Sequence, residues 1–238
     1  LKKRLEITSR FFFVMNKYSI LIPIHNEVNY IPFLLDALKV YNNEGHEIII
    51  IDDGSDDGSS HILKNCKMIK LICLSKNKGK GYALKKGLMN VNNDKIVIYD
   101  GDMELNPSDI KKLMILNNDT RFVMGYRFKS LHLFKSNFDW GNFMFTSFFN
   151  IIFNSCQKDI LCCAKSFYLN DIIDYQITSN GFEIDVEIAS LLTFGNKKRL
   201  IKQVLLEYKR RNIEEGKKLK VSDGWSILFK IMKMARYL

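Results

Sequence analysis

Asp100-Gly101-Asp102 stands directly after the apolar residues 96–99 and just before Met103-Glu104. Two carboxylates bracketing a glycine can hold a hard divalent cation, Mg²⁺ or Mn²⁺, whose remaining ligands are water and phosphate oxygens. A cation so placed neutralises charge on a departing diphosphate. The same triplet also occurs in ordinary surface turns, so its meaning depends on where the chain puts it. His25-Asn26-Glu27 follows another apolar run, residues 18–24, and Asp52-Asp53-Gly54-Ser55-Asp56-Asp57-Gly58-Ser59 follows a third, residues 47–51. The long acidic stretch is a helix-capping turn with Asp57 or Ser59 near the N-cap, a place where Asp52 accepts hydrogen bonds from a ligand, or both. It is no calcium loop, because no Glu occupies the last ligand position. Lys78-Gly79-Lys80-Gly81 lacks the spacing and the Ser/Thr of a Walker loop. It is either a plain turn or a loop whose glycines admit a ligand, with Lys80 in reach of phosphate.

Such groups need a scaffold. Apolar runs predict strands over residues 18–24, 47–51, 69–74 and 95–99, and periodic or capped stretches predict helices over 29–41, 57–64 and 82–91. Pro107 and Ser108 open another helix, proline suiting the first turn. This alternation predicts an α/β fold with a mostly parallel sheet covered on both faces. Ligands bind such sheets at the carboxyl ends of the strands, where the three acidic clusters fall. Their charges repel one another unless a cation or a donor-rich ligand joins them. Beyond this half, residues 122–126 and 204–208 are expected as strands. Residues 138–153, 181–192 and 223–237 are expected as helices, the first rich in aromatics.

The chain has 238 residues, with 36 Lys+Arg against 26 Asp+Glu, a net charge of +10, 13 Gly and 3 Pro. This is globular composition without low-complexity segments. No uncharged apolar run reaches the roughly 18 residues of a spanning helix, and no export signal is expected near the start. The cysteines, Cys66, Cys73, Cys156, Cys162 and Cys163, are odd in number and show no metal spacing, so reduced thiols are expected. Of the adjacent Cys162 and Cys163, one is expected to face a core. Residues 197–238 carry 13 Lys/Arg and 4 Asp/Glu, a local charge of +9. A cationic end implies an anionic partner: nucleic acid, a phospholipid surface or a phosphorylated substrate. In the terminal helix Trp225, Leu228, Phe229 and Met232 share one face, Lys230 and Lys233 lie on another, and Arg236 is at the rim. A basic amphipathic helix of this kind can lie in a membrane interface. The aromatic helix is either core or a further apolar surface. No recognised nucleic-acid motif is present.

Ile22-Pro23-Ile24-His25-Asn26-Glu27, the Ile51-Asp52-Asp53 stretch, Asn77-Lys78-Gly79-Lys80-Gly81 and Asp100-Gly101-Asp102 come in that order. The series resembles the family 2 glycosyltransferases of GT-A fold. Gly181-Phe182-Glu183-Ile184-Asp185-Val186-Glu187, residues 208–218 and Asp223-Gly224 narrow the resemblance to the polyprenyl-phosphate sugar transferases, a group that includes dolichyl-phosphate mannose and glucose synthases. It covers about residues 18–238, expected as a single domain after a tail of residues 1–17. Residues 18–127 form its nucleotide-sugar half. Residues 128–238 form its acceptor half and end in a basic helical extension.

The resemblance implies that Pro23, His25, Glu27 and Asp52 hold base and ribose, with Asp53 and Lys80 in the same nucleotide-sugar site. His25 stands where the family usually has Tyr. Asp100 is implied at the ribose or diphosphate, Asp102 at the metal, and Glu104, at a position often filled by Gln, as a second metal ligand. Arg127 matches an arginine that meets phosphate. Asp159 and Lys165 match acidic and basic positions near the acceptor, and Arg211 and Lys217 a basic rim around its phosphate. Asp185 is the candidate general base. The implied reaction is inverting transfer of a sugar from UDP- or GDP-sugar to a polyprenyl phosphate, with Mg²⁺ or Mn²⁺, on the cytoplasmic face of an anionic membrane that the protein meets peripherally. A glycan hydroxyl acceptor, an inactive relative and a non-enzymatic nucleic-acid-binding module are the alternatives, the last being the one not expected.

Overall fold

The computed structural model describes residues 17–128, 137–195, 201–211 and 223–237. Apolar and β-branched residues make the first strands. β1 (Tyr18–Ile24) and β2 (Glu47–Asp52) are buried on both faces along nearly their whole length, as central parallel strands require. Between them α1 (Ile31–Asn43) buries Ile31, Leu34, Leu38 and Tyr41 at helical spacing and has proline in its first turn. α2 (Ser59–Lys64), β3 (Lys70–Cys73), α3 (Lys80–Leu88) and β4 (Lys95–Ile98) continue the alternation. A 3₁₀ turn at Pro107–Asp109 leads into the short α4 (Ile110–Leu113). Then follow β5 (Phe122–Tyr126), α5 (Asn137–Phe153), β6 (Lys165–Tyr168), α6 (Ile184–Gly195), β7 (Ile201–Leu205) and α7 (Asp223–Tyr237).

The seven strands form one sheet in the order β3-β2-β1-β4-β6-β5-β7. All neighbours run parallel except β6, which is antiparallel to both β4 and β5. Two apolar layers cover the sheet. One is built on α1 and α4 and the other on α3, α5, α6 and α7.

Three expectations change. β6 is an addition: its sequence, Lys-Ser-Phe-Tyr, opens on two polar residues and offers no apolar run, and pairing with the two flanking strands makes residues 165–168 extended. The strand expected at residues 204–208 lies earlier, at Ile201–Leu205, and Tyr208 instead forms an isolated bridge with Leu105. Cys162 and Cys163 are both buried. They precede β6 in irregular chain, where neighbouring side chains need not alternate as they do in a strand.

Among the described residues no helix is long and apolar enough to cross a membrane. α5 and α7 pack side by side, with Gly224 against the Phe145 ring. Both turn apolar side chains outward: Trp140, Met144 and Ile151 from α5, and Trp225, Phe229 and Met232 from α7. Lys230 does not join Lys233 outside. It is buried on the inward face of α7, because Glu187 and Thr178 receive its ammonium there.

Candidate active site

A cleft of about 360 Å³ opens at the carboxyl ends of β1, β2 and β4, a size suited to a small-molecule ligand. Pro23, His25 and Glu27 arrive from the end of β1, Asp53 from β2, and Asp100, Asp102 and Glu104 from β4. Lys80 enters from the first turn of α3, Arg127 from the end of β5, Asp185 from α6, and Arg211 from the chain after β7. The topology therefore gathers residues from both halves of the sequence on one edge of the sheet.

The β4 loop is tightly built. Gly101 lies so close to β1 that a Cβ there would meet Ile24 Cγ2 at 2.5 Å and Ile22 Cγ2 at 2.9 Å. Met103 adopts φ 60°, an uncommon conformation for a residue with a side chain and one that tends to mark functional loops. Asp102 Oδ1 accepts the Glu104 N–H at 3.0 Å. Burial, then the charges of Asp100 and Glu104, push the Asp102 carboxyl up to about 7, although the Glu104 N–H and Arg211 pull the other way. This crowding of negative charge is what a bound cation relieves.

Cations stand on the facing walls. Lys80 Nζ bridges Asp100 and Asp185, 2.9 Å from each. Burial opposes its charge, but the two carboxylates outweigh burial and hold the ammonium well above the ordinary lysine value. The same contact, against the opposing effect of burial, holds Asp100 below the ordinary carboxylate value. Arg127 forms a two-pronged pair with Asp159, at 2.8 and 2.9 Å, and Asn142 Nδ2 donates to the same carboxylate at 3.0 Å. Arg211 pairs with both oxygens of Glu27, at 2.8 and 3.1 Å, lies 3.6 Å from Asp102, and stacks over the Tyr30 ring. Its own N–H donates to Glu104 Oε1. Backbone bonds from Lys209 to Glu104 and from Asn106 to Glu207 lace this late segment onto the β4 loop.

Several residues lie elsewhere than the resemblance implied. Asp52 is fully buried behind the cleft wall, accepting the Ser55 N–H at 2.9 Å and hydrogen bonds from the Ser55 and Ser60 hydroxyls. It shapes the turn and does not face the cleft. Asp57 stands just before the N-cap of α2, which is Gly58 and has no side-chain cap; its carboxylate accepts the Ser59 N–H at 2.9 Å and the Val28 N–H at 2.8 Å. Asp53 does reach the cleft, but its two oxygens accept the Lys78 and Gly79 N–H groups at 2.8 Å and moor the 77–81 loop. Lys165 is fully buried on β6, 3.7 Å from Asp185 and bonded to the Cys162 carbonyl, so it supports Asp185 from beneath and cannot touch an acceptor in the cleft. Asp185 is accordingly held by two ammonium groups, an arrangement that anchors a carboxylate and does not leave it free as a base. Lys217 lies outside the described residues. Asn142, Leu161, Phe182, Tyr208, Arg210 and Ile227 also line the cleft. Local sequence gives Asn142 no signal of its own, since Asn137 and Asn150 stand in the same aromatic helix.

Gly79 is the tightest part of the cleft. Its φ is +94°, and a Cβ would lie 2.3 Å from the Asn180 carbonyl oxygen, a backbone atom. Gly79→Ala is expected to cost at least about 1–3 kcal/mol, because φ +94° with ψ 153° is a conformation essentially reserved for glycine. It should lower the melting temperature and displace Lys80, which calorimetry and nucleotide titration would register.

Comparison with known proteins fits this geometry. The sequence model of one family, described as glycosyl transferase family 2, matches residues 19–167. A curated relative from Photorhabdus laumondii, undecaprenyl-phosphate 4-deoxy-4-formamido-L-arabinose transferase, is 34% identical over 122 residues, which is 48% of this chain and 37% of the relative. The transferase of the same name from Yersinia pestis is 32% identical over 120 residues, 47% and 36% of the two chains. The chain thus spans little more than a third of the length of the curated relatives it matches. Among solved structures, glucosyl-3-phosphoglycerate synthase from Mycobacterium tuberculosis, in complex with Mn²⁺, UDP and phosphoglyceric acid, superposes with a TM-score of 0.73. It is 14% identical, and the match covers 92% of this chain and 78% of that one. The Mg²⁺ and UDP complex of that synthase gives a TM-score of 0.72 at 14% identity. At such identity the likeness establishes a shared fold.

Proposed function

The chain belongs to glycosyl transferase family 2 and has the GT-A fold, and from that membership we propose that it transfers a sugar from a UDP- or GDP-sugar to a polyprenyl phosphate, with inversion, at an anionic membrane surface. The observation that carries this reading is the pairing, in one cleft, of Asp100, Asp102 and Glu104 with Lys80, Arg127 and Arg211. One side suits a hard cation and the other suits phosphate.

The acidic side fits Mg²⁺ or Mn²⁺ chemically. Among the described residues no three His, Cys, Asp or Glu side chains form a ready-made metal cage. Mg²⁺ needs none, since it takes one or two carboxylates and completes its shell with phosphate and water. Asp102 would hold it, with Glu104 alongside, where burial and the charges of Asp100 and Glu104 raise the Asp102 carboxyl. When bound, the cation supplies Lewis-acid neutralisation of the leaving diphosphate. A consequence is pH-dependent. Asp102 must lose its proton to ligate, so Mn²⁺ with a nucleoside diphosphate should raise the melting temperature more at pH 8 than at pH 6. Below about 7 the affinity should drop about tenfold per pH unit. An equal shift at both pH values would remove Asp102 from the metal.

The protein's own groups do the rest. Pro23, His25 and Glu27 lie where base and ribose would be received, and Lys80 is placed to orient the diphosphate. Arg127, held flat by Asp159, is placed to stabilise phosphate charge. An oxygen of the acceptor phosphate attacks the anomeric carbon from the face opposite the diphosphate. The new carbon–oxygen bond forms as the bond to the diphosphate breaks, and the diphosphate departs with the electron pair. The attacking oxygen is already anionic at neutral pH, so no proton has to be removed. This agrees with an Asp185 clasped by two lysines. A glycan hydroxyl acceptor would need a free carboxylate there.

The lipid part of the acceptor has its own support. α5 and α7 each give the cleft a residue, Asn142 and Ile227, and each presents an apolar stripe outward. A polyprenyl chain reaching the cleft past these helices would stay in the interface that the stripes enter. The +9 charge of residues 197–238 favours an anionic surface.

The deciding experiment offers polyprenyl phosphate, Mn²⁺ and a panel of labelled nucleotide sugars. Label should pass into the organic phase with one donor. A folded, nucleotide-binding protein that labels no lipid with any donor would sink the lipid-acceptor reading.

A further inference from the structure

Lys230 turns its ammonium inward although α7 is largely exposed on its other side. Its Nζ donates to Thr178 Oγ1 at 2.9 Å and lies 3.2 Å from Glu187 Oε1. Glu187, buried on α6, also accepts the N–H and hydroxyl of Thr178 at 3.1 and 3.0 Å and the Ser179 N–H at 2.8 Å. Burial alone pushes its carboxyl up. These hydrogen bonds and the ammonium outweigh burial and hold it below the ordinary glutamate value. A buried ion pair is an expensive way to pack a helix, and Ile227, Ile231 and Met234 already seat α7. The pair fastens Thr178 and Ser179, the start of a segment whose next two N–H groups, those of Asn180 and Gly181, donate to Glu183 Oε1 at 3.1 Å.

That segment is the wall against which the loop of Lys80 rests. A Cβ on Gly79 would lie 2.3 Å from the Asn180 carbonyl oxygen, and one on Gly81 2.7 Å from that of Ser179. The Tyr82 N–H donates to the Asn180 carbonyl at 3.1 Å, and Lys85 Nζ donates to Asn180 Oδ1 at 2.7 Å. Between those glycines stands Lys80, reaching Asp100 and Asp185. Asp185 in turn precedes Glu187 by two residues on α6. Hydrogen bonds and the backbone segments between them therefore connect the inner face of α7 to the middle of the cleft.

We propose that Lys230 is a positioning residue for Lys80: by clamping Thr178 and Ser179 through Glu187, it fixes the wall on which the 79–81 loop rests and so the ammonium between Asp100 and Asp185. The helix that shows Trp225, Phe229 and Met232 to the outside is then also the helix that fastens the cleft. The effect on ligand binding rests on reading the cleft as a nucleotide-sugar site; the mechanical coupling does not.

The test compares the whole chain with its Lys230→Met variant, which keeps most of the aliphatic stem, by hydrogen exchange and by calorimetric titration of UDP and GDP with Mn²⁺. The Tyr82 amide should exchange about tenfold faster in the variant while the β1 amides are unchanged, since local opening is graded and separable from global unfolding. Nucleotide affinity should fall about tenfold, be restored by Lys230→Arg, and show no further loss when Lys230→Met is added to Lys80→Met. Unaltered Tyr82 exchange, or losses that add in full in the double variant, would overturn the proposal. A wild-type protein that binds neither nucleotide would defeat the nucleotide-sugar reading, and Tyr82 exchange would still decide the coupling. Thr178→Val serves the same comparison should Lys230→Met fail to fold.

Discussion

Asp102→Ala is expected to lower metal-dependent sugar transfer by about 10³-fold, the scale on which losing one key charge-stabilising contact acts, while leaving the protein folded. Asp102 lies at the end of β4, close to Asp100 and Glu104, and burial together with their charges pushes its carboxyl up to about 7. Above that value it is a third negative charge in a small space. Its folded pKa lies above that of an unfolded aspartate, so between the two the folded state binds more protons and stability falls as pH rises. Removing the carboxylate relieves this. At pH 8 without metal the variant should therefore melt no lower than the parent. Stabilisation by Mn²⁺ with nucleotide, present in the parent, should disappear. Activity, metal shift and melting temperature measured together separate the two explanations of a dead variant: lost melting temperature would mean a damaged fold, and retained melting temperature with no metal shift would mean a lost ligand.

Asp159→Ala should act through the fold. Asp159 is 1% exposed, and it receives two hydrogen bonds from the Arg127 side chain and one from Asn142. Removing one partner of a buried pair strands the other charge, at a cost of 3–5 kcal/mol in general. Arg127 keeps 19% of its side chain exposed and faces the cleft, so water can reach it and the lower end, about 3 kcal/mol, applies. For a chain of this length that is a fall of roughly 6–12 °C in melting temperature. Transfer should fall as well, since Arg127 loses the carboxylate that holds its plane. An unchanged melting temperature would show that Asp159 serves the acceptor directly and Arg127 only incidentally.

The residues from 18 to 109 could be read without coordinates, for a physical reason. The central strands β1, β2 and β4 are largely apolar runs buried on both faces, and each ends in polar residues that a parallel sheet puts on one edge. Asp53, Asp100, Asp102 and Glu104 reach the cleft from such ends, and local sequence was enough to place them there. The helix at Asp223–Tyr237 was legible from its periodicity. Its orientation was not: Lys230 looked like a surface cation until a glutamate from α6, 43 positions earlier, received it. Lys165 was misread likewise, because a lysine inside a fully buried strand is tolerable only beside Asp185, which lies on another element. Asp52 and Asp53 are neighbours with one composition, yet one faces the turn and the other the cleft, a difference that strand alternation sets and composition does not. The sequence by itself determined which chemistry is present, carboxylates for a cation and cations for phosphate. Tertiary structure alone decided which of those charges are available to a ligand, because each buried charge must be paired and its partner here lies far away in the chain.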